Sequence, residues 1–599
     1  MTAATAKDDK TEPKLGDLPR WDLSDLYPAT DSPALEADLV RAAKEAKAFE
    51  AAYKGKLSGL DGDAMGSAIA EYEAIDEVMG RIMSYAQLVY AGNVSDPEVG
   101  RFYQTMQERV NDISADMLFF SLELNGIDDA VLAKQLKGRA GKYKPWLDVV
   151  RAFRPHQLSE EIERLLHDKR VAGRAAWNRL FDETMADMRF DCDGRKLTSE
   201  EALNMMSNPD EGVRKKAAGI LGQELGRHAR TFALITNTLA KDKEIEDKWR
   251  KYPRAESSRN LANQVEDEVV DALNTAVRAA YPDLSHRYYA MKARWFGKEK
   301  LDHWDRNAPL PKAETRIIPW KEATETVLSA YRDFSGELAD VGRKFFDNAW
   351  IDAPVREGKS SGAFAHPTVP SAHPYLLLNY QGKTRDVMTL AHELGHGCHQ
   401  ILAAPNGNLM ADTPLTLAET ASVFGEMLTF RRMLRAETDP ARRKVMLASK
   451  VEDMINTVVR QIAFFNFELR VHAARRKGEL TAEDICRIWI EVQGESLGPA
   501  IRFDDDYRWY WTYIPHFIHS PFYVYAYAFG DCLVNSLYAV YEQAADGFAE
   551  KYLDMLRAGG TLRHRELLAP FGLDASDPAF WQKGLGVVRG FIDELEAMG

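Results

Sequence analysis

Cysteine is nearly missing: Cys192, Cys398, Cys486 and Cys532 are all that 599 residues contain, widely spaced and with no CxxC pair. That pattern excludes a disulfide framework and fits reduced thiols in a cytoplasm, the compartment expected for this chain. Lys and Arg form no long block, and 91 acidic residues against 77 basic ones give a formal charge of -14. A nucleic-acid binder needs a concentrated basic face, so no nucleic-acid partner is expected. No apolar run approaches the length of a membrane span, and no membrane association is expected. The polar opening, MTAATAKDDKTEPKLGDLP, lacks the apolar stretch of a secretory signal. Alternating, strand-like runs are also few.

What the chain does have is helical periodicity. Apolar residues make up 45% of it and charged residues 28%, enough for a substantial core. After a polar leader over residues 1–17, expected to be disordered, apolar residues recur three or four apart. The clearest stretch is Met65–Leu88, where Ile69, Tyr72, Ile75, Met79, Ile82 and Met83 follow helical spacing. Similar patterns over Phe102–Leu124, Glu200–Leu225, Val265–Arg294 and Lys444–Lys477 predict a mainly α protein. The best strand candidate is Tyr375–Tyr380, and a second pair is expected around the turn Asp191-Cys192-Asp193-Gly194. A soft boundary near residue 200 separates an N-terminal helical region, 18–200, from a larger region, 201–599.

The larger region contains His392-Glu393-Leu394-Gly395-His396, an HExxH pattern. Positions four apart on a helix lie one above the other, so both imidazoles can reach one metal ion. Glu393 then stands beside the open position, where it can take a proton from water. A catalytic site needs a third ligand. His399 lies seven residues from His392, about 10 Å along a helix axis and too far to share one ion. The candidate is Glu419, set among small and apolar residues in Leu417-Ala418-Glu419-Thr420-Ala421, where an unpaired carboxylate is costly to bury. An ordinary salt bridge is its alternative role. Glu426, seven residues on, can accept a hydrogen bond from a ligand imidazole. Asp386 either does the same or caps the motif helix.

A third cluster follows, Tyr513-Ile514-Pro515-His516-Phe517-Ile518-His519, then Pro521-Phe522-Tyr523-Val524-Tyr525-Ala526-Tyr527. Amide hydrolysis builds negative charge on the former carbonyl oxygen, and a phenol or imidazole donor aimed there lowers the barrier. Aromatic-rich helices are as often core. If this stretch is helical, Tyr523 and Tyr527 share a face and Tyr525 points elsewhere.

Together these residues resemble the thimet oligopeptidase superfamily, and more closely its oligoendopeptidase F branch. The matching pieces are Ser361-Gly362-Ala363-Phe364, the run from Pro374 to Tyr380, HELGH at 392–396, LAET at 417–420 and the stretch 514–530. The opening Leu18-Pro19-Arg20-Trp21-Asp22-Leu23 also fits, so the likeness spans most of the chain. The resemblance implies one zinc ion on His392, His396 and Glu419, with Glu393 as base. It also implies a large helical metallopeptidase body with a deep central channel and a small β-sheet beside the active site, admitting only short unstructured oligopeptides. His516 matches the family histidine, Tyr523 or Tyr525 is expected as the oxyanion donor, and His519 competes with His516. The Tyr375–Tyr380 strand is expected to pair with the substrate backbone. The competing readings are a zinc exopeptidase of similar body and a peptide-binding protein with a structural zinc, which would need a fourth ligand.

Overall fold

The computed structural model describes residues 15–170, 172–310, 316–544 and 546–599; the first fourteen residues of the expected leader lie outside them. Helices carry most of the chain. The Met65–Leu88 periodicity falls inside helix α1, Gly62–Gly92, whose N-cap Asp61 accepts from the backbone N–H groups of Asp63 and Ala64. Its buried face includes Met65, Ile69, Ile75, Met79 and Ile82. The pattern over Phe102–Leu124 divides into two helices, Pro97–Ala115 and Leu118–Gly126. The one over Glu200–Leu225 breaks between a short helix, Ser199–Met205, and the long helix α2, Glu211–Arg250. The break falls at Asn208-Pro209-Asp210. Proline has no N–H to give and disfavours helix in the residue before it, while Asp210 accepts from the Val213 N–H and starts the next helix. The hairpin expected around Asp193-Gly194 forms, with Phe190–Cys192 antiparallel to Arg195–Leu197 and both turn residues at positive φ.

The sheet that matters for the site has three strands, β1 (Ile351–Pro354), β2 (Phe364–His366) and β3 (Tyr375–Tyr380). Strand β3 is the middle one, parallel to β1 and antiparallel to β2. This corrects the expectation that Tyr375–Tyr380 pairs with a substrate: both of its edges are already hydrogen-bonded, and the edge on the β2 side belongs to Phe364–His366. The strand separates two apolar cores. Tyr375 packs into a core built from residues of the first 150 positions together with Met410, whereas Leu376 and Leu378 face the larger core that begins at Phe181. Alternation of side chains across a strand sends successive residues to opposite faces, and burial on both explains why the run is apolar throughout.

Helix α3, Thr384–Ala403, carries the HExxH pattern and lies against β2 and β3 on one side and helix α4, Thr420–Ala436, on the other. Asp386 caps it: one carboxylate oxygen accepts from the N–H groups of Gln381 and Lys383, at 2.8 and 3.0 Å. Helix α5 (Pro440–Met454) continues through a wider turn, Ile455–Val459, into α6 (Arg460–Arg475), and α7 spans Tyr525–Gln543. All four cysteines are unpaired. Among the described residues no helix is long and apolar enough to cross a membrane.

Candidate metal centre

Side chains of His392, His396 and Glu419 converge, their candidate ligand atoms all within 4.8 Å of one another. One oxygen of Glu419 lies 3.3 Å from His392 Nε2 and 3.4 Å from His396 Nε2. Two packing details bring Glu419, the residue just before α4, to this point. Gly395 sits between the two histidines, and a Cβ there would lie 2.5 Å from the Ala421 carbonyl oxygen, so only glycine lets α3 and α4 approach this closely. Gly530 of α7 does the same for the carboxylate's stem, since a Cβ there would stand 2.9 Å from Glu419 Cβ. The Ser422 hydroxyl donates to this same oxygen, Glu419 Oε2, at 2.7 Å and fixes it in place.

The electrostatics are those of a site built for a cation. Burial alone would raise the Glu419 carboxyl, but hydrogen bonds from His392 and His396 outweigh it and hold the group well below the usual carboxylate range. Burial would lower His392, yet Glu419 and Glu426 on either side push it up to about 10. His392 Nδ1 faces Glu426 Oε2 at 3.3 Å, and Lys450 of α5 donates to the other oxygen of Glu426 at 2.5 Å. Glu426 therefore orients the imidazole and leaves Nε2 directed toward Glu419 Oε2, where a metal ion could be held. Two imidazoles and a carboxylate aimed at one point are donors that suit a divalent first-row metal. Three groups converge among the described residues, not the four of a closed structural site.

Glu393 is buried beside the group, and burial raises its carboxyl even though the neighbouring imidazoles pull the other way. The backbone N–H of Ala365 in β2 lies near enough to favour its ionised form, so that strand runs beside Glu393. A cavity of about 930 Å³ lies between α1 and α3, lined by His396, His399, Gln400, Thr368 and Met79 among others. His399 is buried there and held neutral, with burial lowering it to about 4, and it is not one of the converging groups.

The third cluster resolves into separate roles. His516 Nε2 stands 3.3 Å from the Tyr527 hydroxyl, and the Tyr523 and Tyr527 rings are 5.3 Å apart. Tyr527 lies near enough to Glu419 for that charge to help raise its hydroxyl, after burial and Tyr523. Tyr525 is not brought to this group. It is fully buried, its hydroxyl accepts from Asn263 Nδ2 at 2.9 Å, and its ring packs on Phe465. Tyr523 lies before α7, which opens at Tyr525, so the turn leading into the helix, and not helical spacing, sets its ring beside Tyr527. His519 is turned to Asp182, 2.7 Å away, and leaves His516 without a competitor. No spacing in the sequence pointed to Lys450 or to the Ala365 N–H. A second convergence, Glu211 with Asp302 and Asp305, is taken up by Lys298 and Arg214 in ion pairs.

Comparison with known proteins follows the same lines. The family profile described as Peptidase family M3 matches residues 204–587, and one described as Oligopeptidase F matches residues 123–190. Oligopeptidase PepF of Bacillus subtilis (strain 168) is 25% identical over 612 residues, covering 98% of this chain and 88% of the relative. An oligoendopeptidase F homolog of Lactococcus lactis subsp. lactis is 26% identical, covering 96% of this chain and 97% of its own. The fold matches the crystal structure of oligoendopeptidase-F from Enterococcus faecium with a TM-score of 0.69 at 21% identity, over 94% of this chain and 99% of that one. A crystal structure from Chlamydophila abortus matches with a TM-score of 0.84 at 23% identity, over 97% and 98% of the two chains.

Proposed function

The chain belongs to peptidase family M3, and from that premise we propose that it is a zinc-dependent oligoendopeptidase cutting internal bonds of short, unstructured peptides. The observation that carries the reading is the convergence of His392, His396 and Glu419 with Glu393 buried beside them. These residues would hold one zinc ion, which when bound lowers the pKa of water and polarises a carbonyl. Three protein ligands leave a position open for that chemistry, which supports a catalytic site over a structural one.

Each of the chain's own groups then has a task. Glu393 accepts the proton of the attacking water and passes it to the leaving amine; burial raises its carboxyl toward the range such a base requires. Tyr527, with His516 on its hydroxyl and Tyr523 beside it, donates to the oxygen on which negative charge develops. The substrate lies along the outer edge of β2, where main-chain pairing tolerates many sequences and sets the peptide next to Glu393. The site lies between helices and beside a cavity, and only an extended chain can follow such a path. The four unpaired thiols support a cytoplasmic location.

The deciding experiment is cleavage of an internally quenched peptide blocked at both ends, with chelator and with zinc restored. Internal cleavage that chelator abolishes and zinc recovers is the expected result; an intact blocked peptide would point to an exopeptidase. Glu393→Gln should keep its zinc and fold while kcat falls by about 10²–10⁴. Full activity in that variant would remove Glu393 from the mechanism.

A further inference from the structure

The turn that joins His516 to α7 has little local structure to hold it. Helix His516–His519 is a single turn, closed by the Ser520 N–H on the His516 carbonyl at 3.0 Å. The end of a helix leaves its last carbonyls without intrahelical partners. Phe522 then takes φ +58°, a conformation that persists only where the surroundings impose it. The groups that impose it come from distant segments. Arg174, the first residue of the helix Arg174–Asp187, donates through Nη2 to the carbonyls of His519 at 2.9 Å and Ile518 at 3.3 Å. Arg259, in the short helix Ser257–Ala262, donates through Nε to the Pro521 carbonyl at 3.3 Å. Its guanidinium also lies 5.8 Å from the centre of the Tyr523 ring. Glu468 of α6 accepts from the Phe522 N–H at 2.8 Å. The Arg174 helix takes a second hold on the same turn, with Asp182 at 2.7 Å from His519 and the Phe181 ring 5.9 Å from the imidazole.

What this turn carries is the donor group. His516 Nε2 stands 3.3 Å from the Tyr527 hydroxyl, and the Tyr523 ring lies 5.3 Å from the Tyr527 ring. Neither distance follows from helical geometry, because His516 and Tyr523 both lie outside α7. Among the described residues neither Arg174 nor Arg259 has a carboxylate within ion-pair distance; their hydrogen bonds go to the backbone of this turn. The planar guanidinium suits Arg174 to that task, since Nη2 carries two N–H groups at a fixed angle, one for each of two successive carbonyls. We propose that Arg174 and Arg259 are positioning residues for the oxyanion donors: they fix the turn that delivers His516 and Tyr523 to Tyr527. The proposal rests on the peptidase reading and deepens it. Each arginine acts through the carbonyls it grips and not on the substrate. Displacing a reacting group by about 1 Å can cost about 10²-fold in rate, so residues that never touch the peptide can govern turnover.

The test measures cleavage of an internally quenched peptide by Arg174→Met and Arg259→Met, each alone and combined with Tyr527→Phe, with zinc content determined throughout. Each single variant should keep its zinc, lower kcat by about 10–100-fold and move KM by less than about threefold. Combined with Tyr527→Phe, the same arginine change should lower kcat by less than about threefold, because groups that act through one donor do not add. An equal loss with and without the Tyr527 hydroxyl would overturn the proposal, since general loosening of the fold acts in both backgrounds. A rise in KM alone would also overturn it and place the arginine on the substrate. Arg174→Lys keeps the charge and the stem, and it carries the test if the methionine variant does not fold. Its ammonium cannot reproduce the fork, so kcat should still fall, and again only where Tyr527 keeps its hydroxyl; full kcat in this variant would overturn the assignment of Arg174. No cleavage by the unaltered protein would overturn the peptidase reading and this one with it. Cleavage whose kcat ignores both arginines would overturn this one alone.

Discussion

His392 and Glu426 face each other across 3.3 Å, Nδ1 against Oε2, while the opposite oxygen of Glu426 receives Lys450. Burial would raise the Glu426 carboxyl, but Lys450 and His392 bring it down to about 2, so it stays ionised across the working range. A permanently charged acceptor on Nδ1 fixes the imidazole's tautomer and strengthens Nε2 as a donor. Glu426→Gln should weaken zinc binding by about 10–100-fold. Competition with a chelating dye measures this directly, and excess zinc should return most of the lost activity.

Tyrosine variants separate the two faces of the 523–527 segment. Tyr527→Phe should lower kcat by about 10²–10³ with little change in KM, as expected for a donor that acts on developing charge. Tyr525→Phe removes only the hydrogen bond with Asn263, so it should cost about 1 kcal/mol of stability and leave kcat near its original value. Steady-state kinetics and thermal melts on the pair check both, and the reverse pattern would exchange their roles.

Gly395 is a packing requirement of the candidate metal site. Its Cβ-bearing replacement Gly395→Ala meets the Ala421 carbonyl oxygen at 2.5 Å and Ser422 Cα at 2.6 Å, both backbone atoms that cannot swing aside. Helices α3 and α4 must separate, which should cost about 1–3 kcal/mol and pull Glu419 away from the two histidines. The expected signature is a lower zinc affinity together with a lower Tm, a combination that distinguishes it from Glu426→Gln.

Glu468 of α6 holds the backbone that precedes Tyr523. Its carboxylate accepts from the Phe522 N–H at 2.8 Å, and Phe522 adopts φ +58°, a conformation a bulky side chain rarely takes. Burial pushes the Glu468 carboxyl up to about 8 against an ordinary 4.5, although the Phe522 N–H, Arg259 and Lys243 all favour the ionised form. Below about pH 4.5 the group is protonated whether the chain is folded or not. Between 4.5 and 8 only the unfolded chain ionises it, so this group's contribution to stability declines as pH rises through that window. Glu468→Gln keeps an acceptor for Phe522 and cannot ionise. Its Tm relative to the unaltered protein should rise from pH 5 to pH 8, and a constant difference would refute the assignment. Glu468→Ala leaves the N–H without a partner and should lie about 1–3 kcal/mol below Glu468→Gln at every pH.

Much of the fold and half of the site could be read in one dimension. His392, Glu393 and His396 belong to one helix, where a repeat of 3.6 residues decides their geometry whatever surrounds them. Two-sided apolar burial marked Tyr375–Tyr380 as a strand, whereas Tyr523 lies outside α7 and meets Tyr527 through the turn that precedes the helix. Proline and aspartate at 209 and 210 show the limit of reading periodicity alone, since the apolar spacing ran on across a break that local backbone chemistry imposed. Relationships between distant segments are of another kind. That β3 is the central strand and β2 presents the free edge follows from which strands pair, and alternation within Tyr375–Tyr380 is the same in either case. Lys450 reaches Glu426, and Arg174 reaches the His516 segment, because helices pack at particular distances and angles, and no spacing along the chain encodes those. The sequence by itself determined which side chains could bind a metal and move a proton; only packing in three dimensions decided which charges stand behind them and which edge a peptide can join.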